Sequence, residues 1–126
     1  MRIIREAPAT LAGPAAWFTG SVWYDEVSGA SDGFLTGRVH FTPGARTAWH
    51  AHPGGQVLHV LEGIGMVQDR GGPVEEIRAG ETVVTEAGVW HWHGAGPSHF
   101  MTHLAIYDGA TEWGDHVSDD EYSGEA

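Results

Sequence analysis

The chain of 126 residues has no cysteine and no lysine, and each absence removes a class of chemistry. Without cysteine there are no disulfides, no thiolate nucleophile and no cysteine-type zinc site. Without lysine there is no internal Schiff base, so lysine-dependent aldol and pyridoxal chemistry are excluded. Six arginines against seventeen acidic residues give a net charge of −11, which argues against nucleic acid and anionic membranes as partners.

Long apolar runs are also missing, and none approaches the roughly eighteen residues that a membrane span needs. The N-terminal stretch is interrupted by Pro8, Gly13 and Pro14 and carries charges at Arg5 and Glu6, which makes a poor signal peptide. We therefore expect a single cytoplasmic domain with no membrane partner, acting on a small-molecule substrate.

Glycine is abundant, at nineteen residues, and no segment keeps a 3.6-residue apolar period, so little helix is expected. Short β-rich runs recur instead between turn sequences such as TPGA, HPGGQ, EGIG and DRGGP. Strands are predicted near 16–24, 34–41, 47–52, 56–62, 64–69, 75–77, 81–85, 91–93 and 98–107. This pattern favours an all-β barrel or sandwich with its core over about 16–108. The acidic, polar segment 109–126 is expected at the surface or frayed.

Histidine, with nine copies, is the main resource left for acid–base and metal chemistry near neutral pH. His50 and His52 are two residues apart, so on a strand they face the same side. A tight turn at 53–55 would return Gln56 beside them on the partner strand. By the same alternation, His91 shares a face with the second histidine of the sequence VWHWHG.

These spacings resemble the two signature motifs of the cupin superfamily. The first motif is matched by Gly44, His50, His52, Gln56 and Gly63, with glutamine where glutamate is usual. The second is matched by Gly80, Gly88 and His91, and it departs where proline is usual (Glu86) and where asparagine is usual (Ala95). The resemblance implies one cupin domain over 1–126, folded as a double-stranded β-helix, a small barrel of the jelly-roll type.

The resemblance further implies one divalent metal ion held by His50, His52, Gln56 and His91. Two histidines on one face, an adjacent amide and a distant histidine form an N/O set of the kind that borderline divalent metals prefer. The alternative is a hydrogen-bonded histidine cluster without metal. Because Gln56 is neutral, a bound metal ion keeps its full dipositive charge. This favours Lewis-acid catalysis over oxidative turnover through a trivalent metal. Zinc is expected first, with manganese, iron or nickel as alternatives.

Two further histidines are candidate general bases. His93 shares the inward face of His91, and the alternative for it is an additional ligand or a residue that supports the ligands. His103 lies on a late strand, where the alternative is a hydrogen-bonded core histidine. Arg46 shares the parity of His50 and is expected to hold an anionic oxygen or, by preference, to form a salt bridge.

Apolar residues on both faces of the sequence QVLHVLEG indicate that a second sheet or a partner subunit covers the outer face, and a homodimer is expected. Trp49, Trp90 and Trp92 should point away from the ligands and pack between sheets or subunits. Near the N-terminus, Trp17, Phe18, Trp23 and Tyr24 are expected to close the barrel or to line its mouth.

Within the cupins, the stretches 13–20, 43–56 and 90–106 resemble a group of small single-domain members. Two activities in that group are relevant: zinc-dependent cyclisation of aromatic polyketides, of the resistomycin-pathway type, and manganese-dependent hydroxynitrile lyase activity. We predict the cyclase, in which the metal binds an oxygen of a poly-β-ketone while His93 or His103 removes a proton. The lyase is the first alternative, followed by a metal-dependent dioxygenase and a non-enzymatic ligand-binding cupin.

Overall fold

The computed structural model describes residues 1–125, so Ala126 of the predicted acidic segment lies outside it. The strands are Thr10–Ala12 (β1), Phe18–Thr19 (β2), Val22–Ser28 (β3), Leu35–Phe41 (β4), Arg46–Thr47 (β5), His50–Ala51 (β6), Gln56–Asp69 (β7), Glu75–Arg78 (β8), Thr82–Thr85 (β9), His91–Ala95 (β10), Met101–Tyr107 (β11) and Glu112–Trp113 (β12). A 3-10 turn (Ala30–Asp32) and a five-residue α-helix (Asp119–Ser123, α1) complete the structure. The all-β prediction is confirmed. Within residues 1–125 no helix has the length and apolar character to cross a membrane.

All strand pairs are antiparallel and form two sheets that share β7. The first sheet has the order β1-β3-β4-β11-β7-β9. The second has the order β8-β7-β10-β5-β2, with β6 beside β10 and β12 beside β6. The apolar core lies between the sheets, since it joins Phe41 and Met101 of the first to Ile77 and Ala95 of the second. The sheets thus curl into a barrel around an interior space.

Strand β7 runs without a break through the sequence EGIG, where the sequence predicted a turn between two strands, so that prediction is wrong. Its first half pairs with β11 as far as Gly63, and its second half pairs with β10 from Gly65 onward. The strand changes sheet at Gly63, which has a φ of 81°. A Cβ atom there would overlap the carbonyl oxygen of Phe100. Glycine therefore permits a sharp bend in one continuous strand instead of a loop.

The outer face of β7 is more exposed than its inner face. Leu58 and Val60 are fully buried towards the core, whereas His59 is half-buried and Leu61 is 40% exposed on the other side. This uncovered face is where the sequence predicted a partner subunit, and the homodimer stays a prediction.

The acidic C-terminal segment lies at the surface, as the sequence predicted, and it packs on the barrel instead of fraying. Val117 is buried and packs with Trp49 and Trp92 against the outer side of the second sheet. Helix α1 follows with a capping box at Ser118, and the indole of Trp49 donates a hydrogen bond to Glu121 at 3.1 Å. The tryptophans that the sequence placed between sheets or subunits are thus covered by the chain's own C-terminal segment.

Arg46 does not share the face of His50, because the alternation is interrupted at residues 48–49 between β5 and β6. Its guanidinium donates to the carbonyl oxygen of Val117 at 2.7 Å and pairs with Asp119 at 2.9 Å. Thr47 takes the inward place instead and lines the interior cavity. The expected salt bridge is present, and Arg46 fastens the C-terminal segment rather than facing the histidines.

We expect Gly63→Ala to lower the free energy of unfolding by about 2–4 kcal/mol, because it combines an unfavourable positive φ with a backbone collision. Gly71→Ala is the matched control, since Gly71 has a φ of 86° but an added methyl group there would meet no atom within 4 Å. That control should lose only about 1–2 kcal/mol. Urea unfolding measures both values, and equal losses for the two variants would contradict the proposed role of Gly63.

Candidate metal centre

The barrel interior contains five buried histidines and one buried glutamine that face a common space. They are His50, His52, Gln56, His91, His93 and His103, and none is more than 6% exposed. All six residues singled out from the sequence are therefore brought together. Between histidines of the cluster, ring-centroid distances run from 4.2 Å for His50 and His91 to 5.7 Å for His91 and His93.

Local strand geometry explains this convergence. His50 on β6 pairs directly with His91 on β10, which sets the two imidazoles side by side. The turn after β6 closes with a hydrogen bond from the Gly55 amide to the His52 carbonyl oxygen at 3.0 Å. Gly55 has a φ of 79°, so glycine suits this turn, and Gln56 follows as the first residue of β7. The predicted return of the chain at 53–55 is thus observed.

Three of the histidines donate a hydrogen bond from Nδ1 to a main-chain carbonyl oxygen. The pairs are His50 with Ala48 at 2.8 Å, His52 with Ala110 at 2.9 Å and His91 with Val89 at 2.9 Å. Each bond fixes the ring orientation and the tautomer, so that Nε2 keeps its lone pair. Histidines that bind metals are usually held in this way.

Several nitrogen atoms of the cluster have no hydrogen-bond partner among the described residues. They are Nε2 of His52, Nε2 of His93 and Nδ1 of His103. A buried polar atom without a partner costs about 1–3 kcal/mol. A ring nitrogen from each of His50, His91 and His93 lies within 4.8 Å of the other two, so these three histidines are positioned to bind a metal ion. Unpaired, converging nitrogen lone pairs fit a divalent metal.

Gln56 adds an oxygen donor to the same set. Its Oε1 atom lies 3.3 Å from Nε2 of His91. Because His91 donates through Nδ1 to Val89, its Nε2 keeps its lone pair next to the Gln56 amide. Gln56 and His52 thus lie next to the three histidines and are close enough to belong to the same metal site.

The electrostatics of the cluster keep it neutral near pH 7. Burial lowers the pKa of His50 and of His93 well below the ordinary value, and the neighbouring histidines lower both further. Burial also lowers the pKa of His52 and of His91, and it brings the pKa of His103 down to about 3. Neutral imidazole is the form that ligates metals.

His93 and His103 form a pair at the side of the cluster. Nδ1 of His93 and Nε2 of His103 share a hydrogen bond of 2.9 Å, and both rings pack against Phe41. If His93 keeps the lone pair on Nε2, it donates through Nδ1 and His103 accepts. His93 is thus a possible ligand and a possible base, the two roles that the sequence left open.

A cavity of about 240 Å³ opens from this cluster towards the surface. Its walls are largely apolar and aromatic, and the aromatic residues outside the histidine cluster are Trp17, Phe18, Tyr24, Tyr107 and Trp113. Trp17, Phe18 and Tyr24 were expected to close the barrel or line its mouth, whereas Trp23, expected with them, does not line the cavity, and Trp113 and Tyr107 were missed. The signal for Trp113 was a tryptophan in the otherwise polar stretch 108–116, which indicates a packing contact.

A comparison with known proteins agrees with this architecture. Residues 37–105 match the cupin domain family. A protein of Granulicella tundricola named (R)-mandelonitrile lyase is 52% identical over 116 residues, which cover 87% of this chain and 88% of that protein.

Among solved structures, a cupin-like protein of Thermotoga maritima is 38% identical with a TM-score of 0.85, covering 96% of this chain and 95% of the other. The polyketide cyclase RemF of Streptomyces resistomycificus is 23% identical with a TM-score of 0.65, covering 81% of this chain and 76% of the other, and that likeness concerns the fold. From the family match, the 52% identical relative and the barrel with its histidine cluster, we conclude that the chain belongs to the cupin family.

Proposed function

We propose that this chain is a metal-dependent lyase that cleaves a cyanohydrin into an aldehyde and hydrogen cyanide. The same enzyme would also catalyse the reverse addition of hydrogen cyanide to the aldehyde. The cavity carries the proposal, because it is small, mostly apolar and ends at a neutral histidine cluster. An aldehyde with one ring suits such a space. The relative that is 52% identical over most of both chains is named (R)-mandelonitrile lyase, and mandelonitrile is a cyanohydrin of this kind.

The polyketide cyclase predicted from the sequence stays a prediction. A folded poly-β-ketone that yields several fused rings needs a large pocket. The cavity of about 240 Å³ lies below the roughly 300–1,000 Å³ usual for pockets that enclose drug-sized ligands. Its size therefore favours the lyase, which the sequence placed second, as the function to test first.

We propose that the donors of the site are His50, His52, Gln56 and His91, and that they hold one divalent cation. Zinc and manganese are the first candidates, followed by iron and nickel. A cation bound there supplies Lewis acidity, which polarises an oxygen atom of the substrate. Because imidazole and amide ligands are neutral, they leave its charge undiminished, whereas a glutamate at position 56 would reduce it.

His93 is the proposed proton acceptor. Its unpartnered Nε2 takes the hydroxyl proton of the cyanohydrin, the C–O bond becomes a carbonyl, and the C–C bond breaks with its electron pair leaving as cyanide. The same nitrogen then returns the proton to cyanide, which gives hydrogen cyanide. His103 accepts the Nδ1 hydrogen bond of His93 at 2.9 Å and so stabilises the ring while it carries the extra proton. The apolar walls exclude water from the released aldehyde.

Removing His93 should separate its two possible roles. If it is the base, His93→Ala keeps bound metal and loses about 10²–10⁴-fold in kcat. His50→Ala should lose the metal itself, with an affinity loss beyond the roughly 10- to 100-fold typical of residues behind a ligand. Metal content by mass spectrometry together with kcat measures both effects.

His59→Ala is the matched control, since His59 is half-buried on the outer face of β7 and bonds Thr82 at 2.9 Å away from the cavity. It should retain both metal and rate. Loss of metal in His93→Ala would assign His93 as a ligand and contradict its proposed role as the base.

The activity itself is tested with mandelonitrile. We expect the protein loaded with manganese or zinc to release benzaldehyde, followed by its ultraviolet absorbance, faster than the same metal ion alone. The assay runs under acidic conditions that suppress spontaneous decomposition. A protein loaded in turn with zinc, manganese, iron and nickel that never exceeds the metal-only rate would refute the lyase. Activity that required oxygen would favour a dioxygenase, and an unchanged rate in His93→Ala would oppose acid–base catalysis by this residue.

A further inference from the structure

Two tryptophans from opposite ends of the chain meet on the cavity wall. Trp17 lies just before β2 and Trp113 lies in β12, so both are outside the residues 37–105 that match the cupin domain. Their ring centroids are 5.1 Å apart and their planes differ by 4°, which is a parallel stack. Both line the cavity that ends at the histidine cluster. This part of the cavity wall is therefore formed by segments that lie before and after the family domain.

The backbone holds each tryptophan in place next to His50. The amide of Trp17 donates to the carbonyl oxygen of Pro14 at 3.0 Å, and its own carbonyl accepts from the amide of Ala48 at 2.7 Å. Trp113 pairs in register with His50 through the ladder between β12 and β6. The stack is therefore fixed to the same piece of chain that carries a histidine of the cluster, and its position relative to that cluster is set by main-chain bonds.

The rings form a series from solvent to the site. Trp17 is 40% exposed, Trp113 is half-buried, and the ring of Trp113 lies 4.9 Å from that of His50, which is 1% exposed. Aromatic rings attract one another at centroid separations of about 4.5–7 Å. Because both indoles border the cavity, an aromatic ring bound there would lie beside them.

The charged residues that line the cavity indicate which ligands it can bind. Among its lining residues in the described chain, Glu26 is the single acidic or basic side chain besides the histidines. No arginine is present there to pair with a carboxylate or phosphate, and Glu26 repels both. The lining is thus suited to a neutral aromatic ring.

We propose that Trp17 and Trp113 are the specificity-determining residues of this site, and that they select neutral aryl carbonyl compounds over alkyl ones. The inference rests on the proposed function for the cyanohydrin chemistry, but the preference for an aromatic ring rests on the tryptophan stack alone. A cyclohexyl ring fills nearly the same volume as a phenyl ring and lacks its π-face. Comparing the two substrates therefore separates stacking from size.

The first experiment compares kcat/KM for mandelonitrile and for the cyanohydrin of cyclohexanecarbaldehyde. In Trp17→Leu we expect the aryl-to-cyclohexyl ratio to fall about 5- to 10-fold, mainly through KM, because the leucine keeps apolar area but cannot stack. Trp17→Phe and Trp113→Phe should keep the ratio within about 2-fold of the wild type, since a phenyl ring still stacks. Equal losses for both substrates in Trp17→Leu would assign the residue a purely structural role and overturn the inference.

Trp23→Leu is the matched control. Trp23 is 42% exposed, close to the 40% of Trp17, but it lies on β3 and does not line the cavity. Its replacement should leave the aryl-to-cyclohexyl ratio unchanged. A fall as large as that in Trp17→Leu would mean that loss of any surface tryptophan produces the effect, and would also overturn the inference.

A binding experiment separates this inference from the proposed function. Calorimetry with benzaldehyde and cyclohexanecarbaldehyde on the metal-loaded protein needs no turnover. We expect tighter binding of benzaldehyde by the wild type and loss of that advantage in Trp17→Leu. Equal affinities in the wild type would overturn the inference even if mandelonitrile is cleaved. Preferential binding of benzaldehyde without cleavage would refute the lyase and leave the role of the tryptophans standing.

Discussion

The main constraint on this barrel is that its interior buries five imidazole rings and one amide. Burying so many polar rings is costly unless each nitrogen has a partner. The Nδ1 atoms of His50, His52 and His91 find theirs in main-chain carbonyl groups. The Nε2 atoms of His52 and His93 find none among the described residues. The fold thus satisfies the Nδ1 atoms of three histidines and leaves other buried ring nitrogens without a protein partner, which is the physical basis for the proposed metal site.

The neutrality of the cluster also bears on the proposed chemistry. Burial keeps the histidines neutral, so the cluster brings electron pairs without negative charge. Gln56 continues the pattern with an amide oxygen. A carboxylate there would stabilise a higher oxidation state of a bound metal, whereas the amide favours polarisation of a substrate oxygen. The pair His93–His103 adds a place for a proton. These features together support the proposed cleavage of a carbon–carbon bond next to a carbonyl group.

Much of this was accessible from the sequence because it depends on local spacing. Strand alternation and the turn at 53–55 were sufficient to group His50, His52 and Gln56. Alternation failed for Arg46, where two residues without strand geometry shift the parity, and the turn predicted at EGIG failed because Gly63 bends a continuous strand. Contacts between distant segments, such as Trp113 on His50, carry no local pattern, because they depend on the tertiary register of β12 on β6.

The hydrogen bond between His52 and the carbonyl oxygen of Ala110 joins the interior to a part of the chain beyond the cupin domain match. The Ala110 carbonyl and the Thr111 hydroxyl both lie next to Nδ1 of His52, at 2.9 Å and 3.2 Å. The orientation of one imidazole is therefore set by a loop that a family boundary at residue 105 would discard. The part of the chain that orients His52 thus extends beyond the matched domain, and a substitution in that loop can change the orientation of this imidazole without changing any motif residue.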